Sequence, residues 1–213
     1  MKPNKITGIY LAAGRSTRMG SNKLRLPLGS MNVGSYGLAA AVRSILDHVL
    51  VVSGNETADW IHSDLYRDPV QRKWSVINCP DADMGQAHSL RCGVQAAISL
   101  ESSAVMILLA DQPLISAAMI DELLIHYQKE RSANSGTAYA ASRYNGLARP
   151  PVIFDRRIFP DLLHLQGDQG ARSMIRNETA GTYVDFADTD LFTDVDTEDD
   201  YALLLEKTGF LKS

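Results

Sequence analysis

The sequence lacks the features that would direct a chain to a membrane or to nucleic acid. Its longest uninterrupted apolar run covers residues 104–110, far fewer than the roughly 20 residues of a membrane helix. Residues 9–13 are too short an apolar run for the core of a signal peptide. The formal net charge of −4 provides no dense basic face for nucleic acid or for a membrane surface. We therefore expect a cytoplasmic protein with neither kind of partner.

Cysteine and histidine are also scarce, and this argues against two further classes of site. The two cysteines, Cys79 and Cys92, have no histidine-rich segment or second cysteine pair beside them, as a zinc site would require. We interpret both as reduced thiols in the core. The five histidines share no spacing, and no nucleophile elbow is present, so the sequence does not indicate a Ser/His/Asp or Cys/His enzyme.

The remaining pattern predicts an α/β fold, in which a mostly parallel sheet is covered by helices on both faces. With 213 residues, of which 45% are apolar and 22% charged, the chain can bury the core of one domain. Short β-rich runs alternate with longer segments of helical period. Strands are predicted at 6–12, 48–52, 75–78, 105–109, 137–142, 152–154 and 182–186, and helices at 35–46, 57–66, 88–100, 117–129, 156–163, 171–177 and 198–205. No repeat or linker divides the chain, so we expect one domain over residues 1–213, with a nucleotide-binding part at about 1–115 and an acceptor-binding part at about 116–213.

A short polar loop at residues 11–23 follows the first predicted strand and contains two glycines, two arginines and a lysine. Glycine lets the backbone approach a ligand closely, while free N–H groups and cationic side chains neutralise anionic oxygens. The spacing differs from a P-loop, because two residues separate the second glycine from Lys23, and from a dinucleotide fingerprint, which needs glycine where Ser16 stands. The loop predicts a polyphosphate site of a third kind. The alternative is a strand-to-helix turn with solvated basic residues.

Carboxylates occur at two positions where a metal could bind. Asp111 directly follows the most apolar predicted strand, and open α/β sheets bind ligands at the carboxyl ends of their strands. Mg²⁺ commonly takes one or two carboxylates and completes its shell with water and substrate phosphates. The alternative is an aspartate that caps a turn before proline. A second carboxylate is expected near the last helix, where the spacing of Asp194 and Asp196 predicts that they share one face of a strand.

Together these segments resemble a known family. The order Leu-Ala-Ala-Gly, Arg, Ser, Arg-Met-Gly, Lys23, Pro-Leu-Gly, followed by residues 108–114, is similar to the signature of nucleotidyltransferases with a glycosyltransferase-A-like, Rossmann-like three-layer fold. Within these, the chain most resembles the molybdenum cofactor cytidylyltransferases, and the resemblance covers nearly its whole length. In that family the first loop holds the triphosphate of the incoming nucleotide. The aspartate of the second motif holds the metal.

The resemblance implies roles for individual residues. Arg18, Lys23 and Asp111 would be catalytic, and Asp111 and Asp196 would hold Mg²⁺, since Asp196 matches the acidic or amide residue that precedes the last helix. The nucleotide would contact Leu11, Ala12, Ala13, Gly14, Arg15, Ser16, Arg18, Lys23, Pro80, Gly85 and Ser89.

Two later loops resemble those that the family places against its pterin substrate, at residues 147–154 and 167–172. They imply acceptor contacts for Arg149, Pro151, Asp168 and Arg172. Relatives commonly carry Gly-His-Pro where this chain has Arg-Pro-Pro, and the alternative for the two arginines is that they are surface cations. For His88, a ligand contact and a partly exposed histidine at a helix start both remain open.

The function that this resemblance implies is transfer of CMP from CTP to the phosphate of molybdopterin, with Mg²⁺ as cofactor and release of pyrophosphate. The recipient would be a molybdenum hydroxylase such as xanthine dehydrogenase, because the family includes a bacterial purine catabolism protein associated with maturation of that enzyme. Leu-Ala-Ala-Gly in place of Leu-Ala-Gly-Gly favours CTP over GTP. The alternatives are a guanylyl- or sugar-phosphate nucleotidyltransferase and a maturation factor that binds the cofactor without catalysis.

Overall fold

The computed structural model describes most of the chain. The described residues are 4–14, 19–20, 22–54, 58–171, 174–175 and 180–210. Four predicted site residues lie outside these ranges, namely Arg15, Ser16, Arg18 and Arg172. Within the described ranges, no helix combines the length and the apolar character needed to cross a bilayer.

A seven-stranded sheet organises the fold, in the order β5-β4-β1-β6-β8-β7-β9. Among the described strands of this sheet, β8 alone runs antiparallel to its neighbours. The strands of this sheet are β1 (Ile6–Leu11), β4 (His48–Ser53), β5 (Trp74–Asn78), β6 (Ala104–Leu109), β7 (Tyr139–Tyr144), β8 (Leu147–Asp155) and β9 (Gly181–Asp185). Two further short strands, β2 (Pro27–Leu28) and β3 (Met31–Asn32), pair with each other in a separate antiparallel hairpin. Strands from both predicted parts of the chain share this sheet, because β6 pairs with β8.

Helices cover both faces of the sheet, as predicted. Those that lie wholly within the described residues are α1 (Val33–Arg43), α2 (Gln86–Ser99), α3 (Ala117–Ala133), α4 (Phe159–His164) and α5 (Glu198–Thr208); of the helix predicted at 171–177, the described residues 171, 174 and 175 are helical. Apolar side chains of α1 and α3 pack on one face of the sheet, and those of α2 and α4 pack on the other. Side chains alternate along a strand, so Tyr10 of β1 contributes to the first core and Ile9 to the second. The α/β prediction is confirmed.

One predicted helix is wrong. Of the described part of 57–66, only Ser63–Tyr66 is helical, as a short 3₁₀ turn. The reason is that this segment hydrogen-bonds to α1 and to Asn32, the residue that precedes α1. The carbonyl of Trp60 accepts from the Ser35 hydroxyl at 2.7 Å and from the Asn32 side-chain amide at 3.2 Å. Trp60 itself is buried, with 1% of its surface exposed. Tertiary contacts therefore override the helical period of the sequence here.

The interpretation of the cysteines as reduced thiols is also wrong, since the structure joins Cys79 and Cys92 in a disulfide. Cys79 follows β5 and Cys92 lies in the second turn of α2. The intervening turn brings α2 back against the end of β5, so that the two Cα atoms lie 6.1 Å apart. This separation is one that a disulfide spans.

Candidate active site

A cavity of about 520 Å³ opens at the carboxyl ends of β1 and β6, beside the start of α2. Its walls come from the first loop, from the turn before α2 and from the residues after β6. They are Leu11, Ala13, Gly14, Ala82, Asp83, Met84, Gly85, Gln86, Ser89, Leu109, Asp111 and Asp168. Five residues predicted to contact the nucleotide are among them: Leu11, Ala13, Gly14, Gly85 and Ser89.

The alternation of β1 continues into the first loop and separates its two alanines. Leu11 and Ala13 line the cavity on the side of α2. Ala12 instead belongs to the core on the opposite face, and it is not a wall residue. Pro80 and His88 are likewise not among the wall residues, whereas Ser89 is. The methyl group that limits this part of the cavity is therefore that of Ala13.

Lys23 connects two carboxylates beside the cavity. It begins a short 3₁₀ turn, which Asn22 caps by accepting from the amide of Leu24 at 3.0 Å. Its side chain is largely buried, and Nζ donates to Asp111 Oδ2 and to Asp196 Oδ1, each at 2.7 Å. Burial by itself would lower the pKa of Lys23, but the two carboxylates more than offset this and raise it. The ammonium group therefore stays charged. The structure thus brings together three predicted site residues from distant parts of the sequence.

The C-terminal segment reaches this site as an irregular stretch. Residues 193–197 form no strand, so the prediction that Asp194 and Asp196 share a strand face is wrong. Instead, the amide of Val195 donates to the carbonyl of Asp111 at 3.0 Å, and the two aspartates bond to different partners. Asp196 accepts from Lys23, whereas Asp194 Oδ1 accepts from the Gln112 amide at 2.8 Å.

Gln112 is a residue of the site that sequence reasoning missed. Its side chain is buried, with 2% exposed, and it holds Asp194 close to the other carboxylates. Burial, followed by the negative charges of Asp111 and Asp196, raises the pKa of Asp194, while the Gln112 bond and the charge of Arg149 act against this shift. The signal was present in the sequence, because Gln112 directly follows Asp111.

The residues predicted for the acceptor lie in two places. Arg149 is on β8, where it pairs with Ser142; its Nε is buried and has no hydrogen-bond partner within the part of the chain that the structure describes. Pro151 is buried in the sheet, and its carbonyl accepts from the Ser142 hydroxyl at 3.0 Å. Asp168 lines the same cavity as the predicted nucleotide contacts.

Two close contacts hold the Asp168 loop against the start of α2. The amide of Ala87 donates to the carbonyl of Gly167 at 3.0 Å. Gly85 adopts a φ of +120°, and a Cβ at this position would lie 2.4 Å from the Gly167 oxygen. Only glycine permits this approach. Gly85, predicted to contact the nucleotide, and the 167–172 loop predicted for the acceptor are therefore in direct contact.

Comparison with known proteins identifies the family. The MobA-like NTP transferase domain matches residues 8–182. The chain belongs to this family. It is therefore a nucleotidyltransferase, as the sequence motifs predicted. The fold agrees: the crystal structure of Rv0371c from Mycobacterium tuberculosis is similar with a TM-score of 0.72 and 27% identity, over 95% of this chain and 98% of that one.

Two full-length relatives carry different names. The nucleotidyltransferase is 38% identical over 208 residues to the purine catabolism protein PucB of Bacillus subtilis, covering 96% of this chain and 98% of PucB. It is also 29% identical over 208 residues to the nicotine blue oxidoreductase of Paenarthrobacter nicotinovorans, covering 93% and 96% of the two chains. Rv0371c has also been crystallised in complex with manganese, in a structure with a TM-score of 0.67 and 25% identity, over 95% of this chain and 98% of that one.

The donor set of the nucleotidyltransferase is compatible with a divalent metal ion. Among the described residues, no group of three or more His, Cys, Asp or Glu side chains converges as a metal site. Asp111 and Asp196 nevertheless approach the same point, since both accept from Lys23 Nζ. Proteins usually bind Mg²⁺ through one or two carboxylates when substrate phosphates supply other ligands.

Proposed function

We propose that this nucleotidyltransferase transfers CMP from CTP to the phosphate of molybdopterin and releases pyrophosphate, in the maturation of a molybdenum hydroxylase. The observation that carries the proposal is the buried contact of Lys23 with Asp111 and Asp196 at the edge of the cavity. The names of the relatives do not decide the substrate, because one names a catabolic pathway and the other an oxidoreductase. The chemistry of the site and the motifs of the sequence support it instead.

The triphosphate would bind beside Lys23. This lysine is a permanent cation in a mostly buried position, where its charge is screened by water less than at a free surface. Arg15 and Arg18 are predicted to add phosphate contacts, and both lie outside the described residues. Asp111 and Asp196 would hold Mg²⁺, which supplies charge neutralisation at the reacting phosphates.

The acceptor needs no base to activate it, because a phosphate monoester is already anionic at neutral pH. The task of the protein is therefore to align two phosphates and to reduce their repulsion. Arg149 suits this role, since its guanidinium carries a buried N–H group without a partner among the described residues. Asp168, at the cavity, is proposed to contact the acceptor close to the nucleotide.

The preference for CTP is proposed to depend on Ala13. Its methyl group is part of the cavity wall and leaves less room for a purine than for a pyrimidine. A misfit of this size in a binding pocket is worth about 1–3 kcal/mol, which corresponds to a discrimination of roughly 10- to 200-fold.

The experiment that tests the function supplies CTP and GTP to the enzyme with Mg²⁺ and molybdopterin, first separately and then in competition. We expect pyrophosphate release and a CMP-linked product, with CTP preferred. Ala13→Gly should relax the preference and retain transfer, whereas Ala12→Gly, on the other face of the strand, should leave the preference unchanged. Equal use of both nucleotides, or a preference for GTP, would contradict the cytidylyl assignment. Absence of transfer to molybdopterin would show that molybdopterin is not the acceptor.

A further inference from the structure

A pair of hydrogen bonds ties the C-terminal segment to the end of β6. Gln112 Nε2 donates to Asp194 Oδ1 at 2.8 Å, and the amide of Val195 donates to the carbonyl of Asp111 at 3.0 Å. Asp111 and Gln112 are consecutive residues after β6, and Asp194 and Val195 are consecutive residues of the C-terminal segment. The two bonds consequently fix both the distance and the relative direction of the two segments.

Asp194 differs from the two carboxylates that bind Lys23. It lies close enough to Asp111 and Asp196 to be affected by their charges, yet the described residues contain no group of three such side chains with the geometry of a metal site. Its bonded partner is the neutral amide of Gln112. The position therefore suits a residue that orients the site through its neighbours.

The consequence for Asp196 follows from the chain itself. Asp196 is half exposed, with 50% of its side chain accessible; its carboxylate accepts from Lys23 at 2.7 Å, and its backbone amide donates to Asp200 Oδ2 at 3.0 Å. It is two residues from Asp194, whose carboxylate is held by a partly buried hydrogen bond from Gln112. Fixing Asp194 therefore limits where the Asp196 carboxylate lies relative to Asp111 and Lys23.

We infer that Gln112 and Asp194 are positioning residues, which hold Asp196 in register with Asp111 and Lys23 through the amide–carboxylate bond between them. This inference rests on the proposed role of the three residues in binding the triphosphate and its metal. Without the bond, a partly buried carboxylate beside two others has lost its donor. The repulsion between the carboxylates then favours displacement of the C-terminal segment.

The experiment exchanges the two partners. Gln112→Glu places a second carboxylate against Asp194 and removes the bond, whereas the double variant Gln112→Glu/Asp194→Asn restores it with donor and acceptor reversed and with an unchanged net charge. We expect Gln112→Glu to lower kcat about 10-fold with little change in the KM for CTP, and the double variant to recover most of this loss, since coupled neighbours show large non-additive effects. Gln95→Glu, on an exposed position of α2, is the matched control for the added charge.

A second readout does not depend on turnover. Mn²⁺ binding in the presence of a non-hydrolysable CTP analogue, followed by electron paramagnetic resonance, should weaken in Gln112→Glu and recover in the double variant. Thermal unfolding of each variant verifies that the chain is folded. The inference is overturned if Gln112→Glu binds Mn²⁺ and turns over as the wild type does, or if the folded double variant recovers neither property. If the wild type fails to modify molybdopterin but the Mn²⁺ results hold, the proposed acceptor fails and the inference stands.

Discussion

At the scale of single residues, the site depends on one buried cation. Lys23 has 11% of its side chain exposed and bonds to two carboxylates that are separated from it by 88 and 173 positions in the sequence. Among the residues that the structure describes, Lys23 Nζ joins these three parts of the chain at one atom. Lys23 therefore stabilises the arrangement, and in the proposed function it would also provide charge for a phosphate.

Replacing Lys23 tests this double role. We expect Lys23→Ala to lower turnover by about 10²-fold, the scale observed when one preorganised electrostatic group is removed, and to leave the preference between CTP and GTP unchanged, because an ammonium group does not contact the base. Steady-state kinetics with both nucleotides measures the effect. Arg25→Ala is the control, since Arg25 is exposed and pairs at the surface with Asp59, at 2.8 Å. Wild-type kinetics in Lys23→Ala would assign the lysine a purely structural role.

Asp111 tests the metal in the same manner. Asp111→Asn keeps the size of the side chain and removes its charge, so we expect the fold to persist and turnover to fall by about 10²-fold or more. Circular dichroism and turnover at several Mg²⁺ concentrations are the measurements. Asp59→Asn, at an exposed ion pair, should retain activity. Near-normal turnover of Asp111→Asn at ordinary Mg²⁺ would remove Asp111 from the metal site.

Sequence reasoning reached these residues for an identifiable reason. Lys23 and Asp111 lie in motifs directly after strands, and a strand end has a fixed place in an open sheet. The contact between Gln112 and Asp194 joins residues 82 positions apart, so the position of Gln112 beside Asp111 indicates that it lies near the site but not which residue it contacts. The sequence fails to indicate the disulfide between the two cysteines for the same reason, because it is the return of α2 onto the end of β5 that brings them together.

At the scale of elements, the sequence predicts the bounds of strands with continuous apolar runs to within a few residues. It does not predict the structure of segments that are fixed by contacts with residues distant in the sequence. The hairpin of β2 and β3 has two residues in each strand, which is too short to show alternation. The helix predicted at 57–66 fails because Trp60 and Ser35 bond to each other. Element prediction thus succeeds where the pattern of burial repeats along the chain, and fails where single tertiary bonds decide.

The start of α5 carries a capping box. The Thr197 hydroxyl accepts from the amide of Asp200 at 3.2 Å, and Asp200 Oδ2 accepts from the amide of Thr197 at 2.8 Å. We expect Thr197→Ala to lower the free energy of unfolding by about 1 kcal/mol. Chemical denaturation measures this change. A change within error would show that the cap does not limit the stability of the chain.

The cap also predicts a dependence on pH. The hydrogen bond from Thr197 lowers the pKa of Asp200 in the folded protein. The ionised Asp200 carboxylate therefore stabilises the fold above the ordinary pKa of an aspartate, and this stabilisation is lost as the pH falls through the lowered pKa of the folded state. The difference in melting temperature between wild type and Asp200→Ala should therefore shrink below about pH 4. Asp199→Ala, which changes the charge of the same turn without removing the box, is the control.

The disulfide between Cys79 and Cys92 encloses a segment that carries much of the cavity wall, including Gly85 and Ser89. A disulfide that closes a loop of this length stabilises a protein by about 3 kcal/mol. We therefore expect a reductant to lower the denaturation midpoint of the wild type and to leave that of Cys92→Ser unchanged. A wild type insensitive to reductant would support two separate thiols instead.

At the scale of the whole molecule, the end of the chain returns to its beginning. Val195 and Leu204 pack against Leu28 and Val33 in one buried cluster, and the Tyr201 hydroxyl donates to the carbonyl of Pro27 at 2.5 Å. The hairpin that follows Lys23 is thus covered by α5. The sequence predicts a nucleotide-binding part at about 1–115 and an acceptor-binding part at about 116–213, and Lys23, Asp111 and Asp196 of the candidate site come from both parts.

The position of Lys23 has a consequence for the order in which ligands arrive. In the free protein the ammonium group already neutralises Asp111 and Asp196, so a divalent ion alone must compete with an internal counterion. A triphosphate that attracts Lys23 removes this competition, and the two affinities are linked by one reciprocal factor. Mn²⁺ should therefore bind more tightly with a CTP analogue present, and the analogue more tightly with Mn²⁺, by the same ratio in equilibrium dialysis. Tight Mn²⁺ binding that ignores the nucleotide would contradict this. If the proposed roles of these residues hold, the resting enzyme would bind a free divalent ion weakly and would bind it more tightly together with the nucleotide.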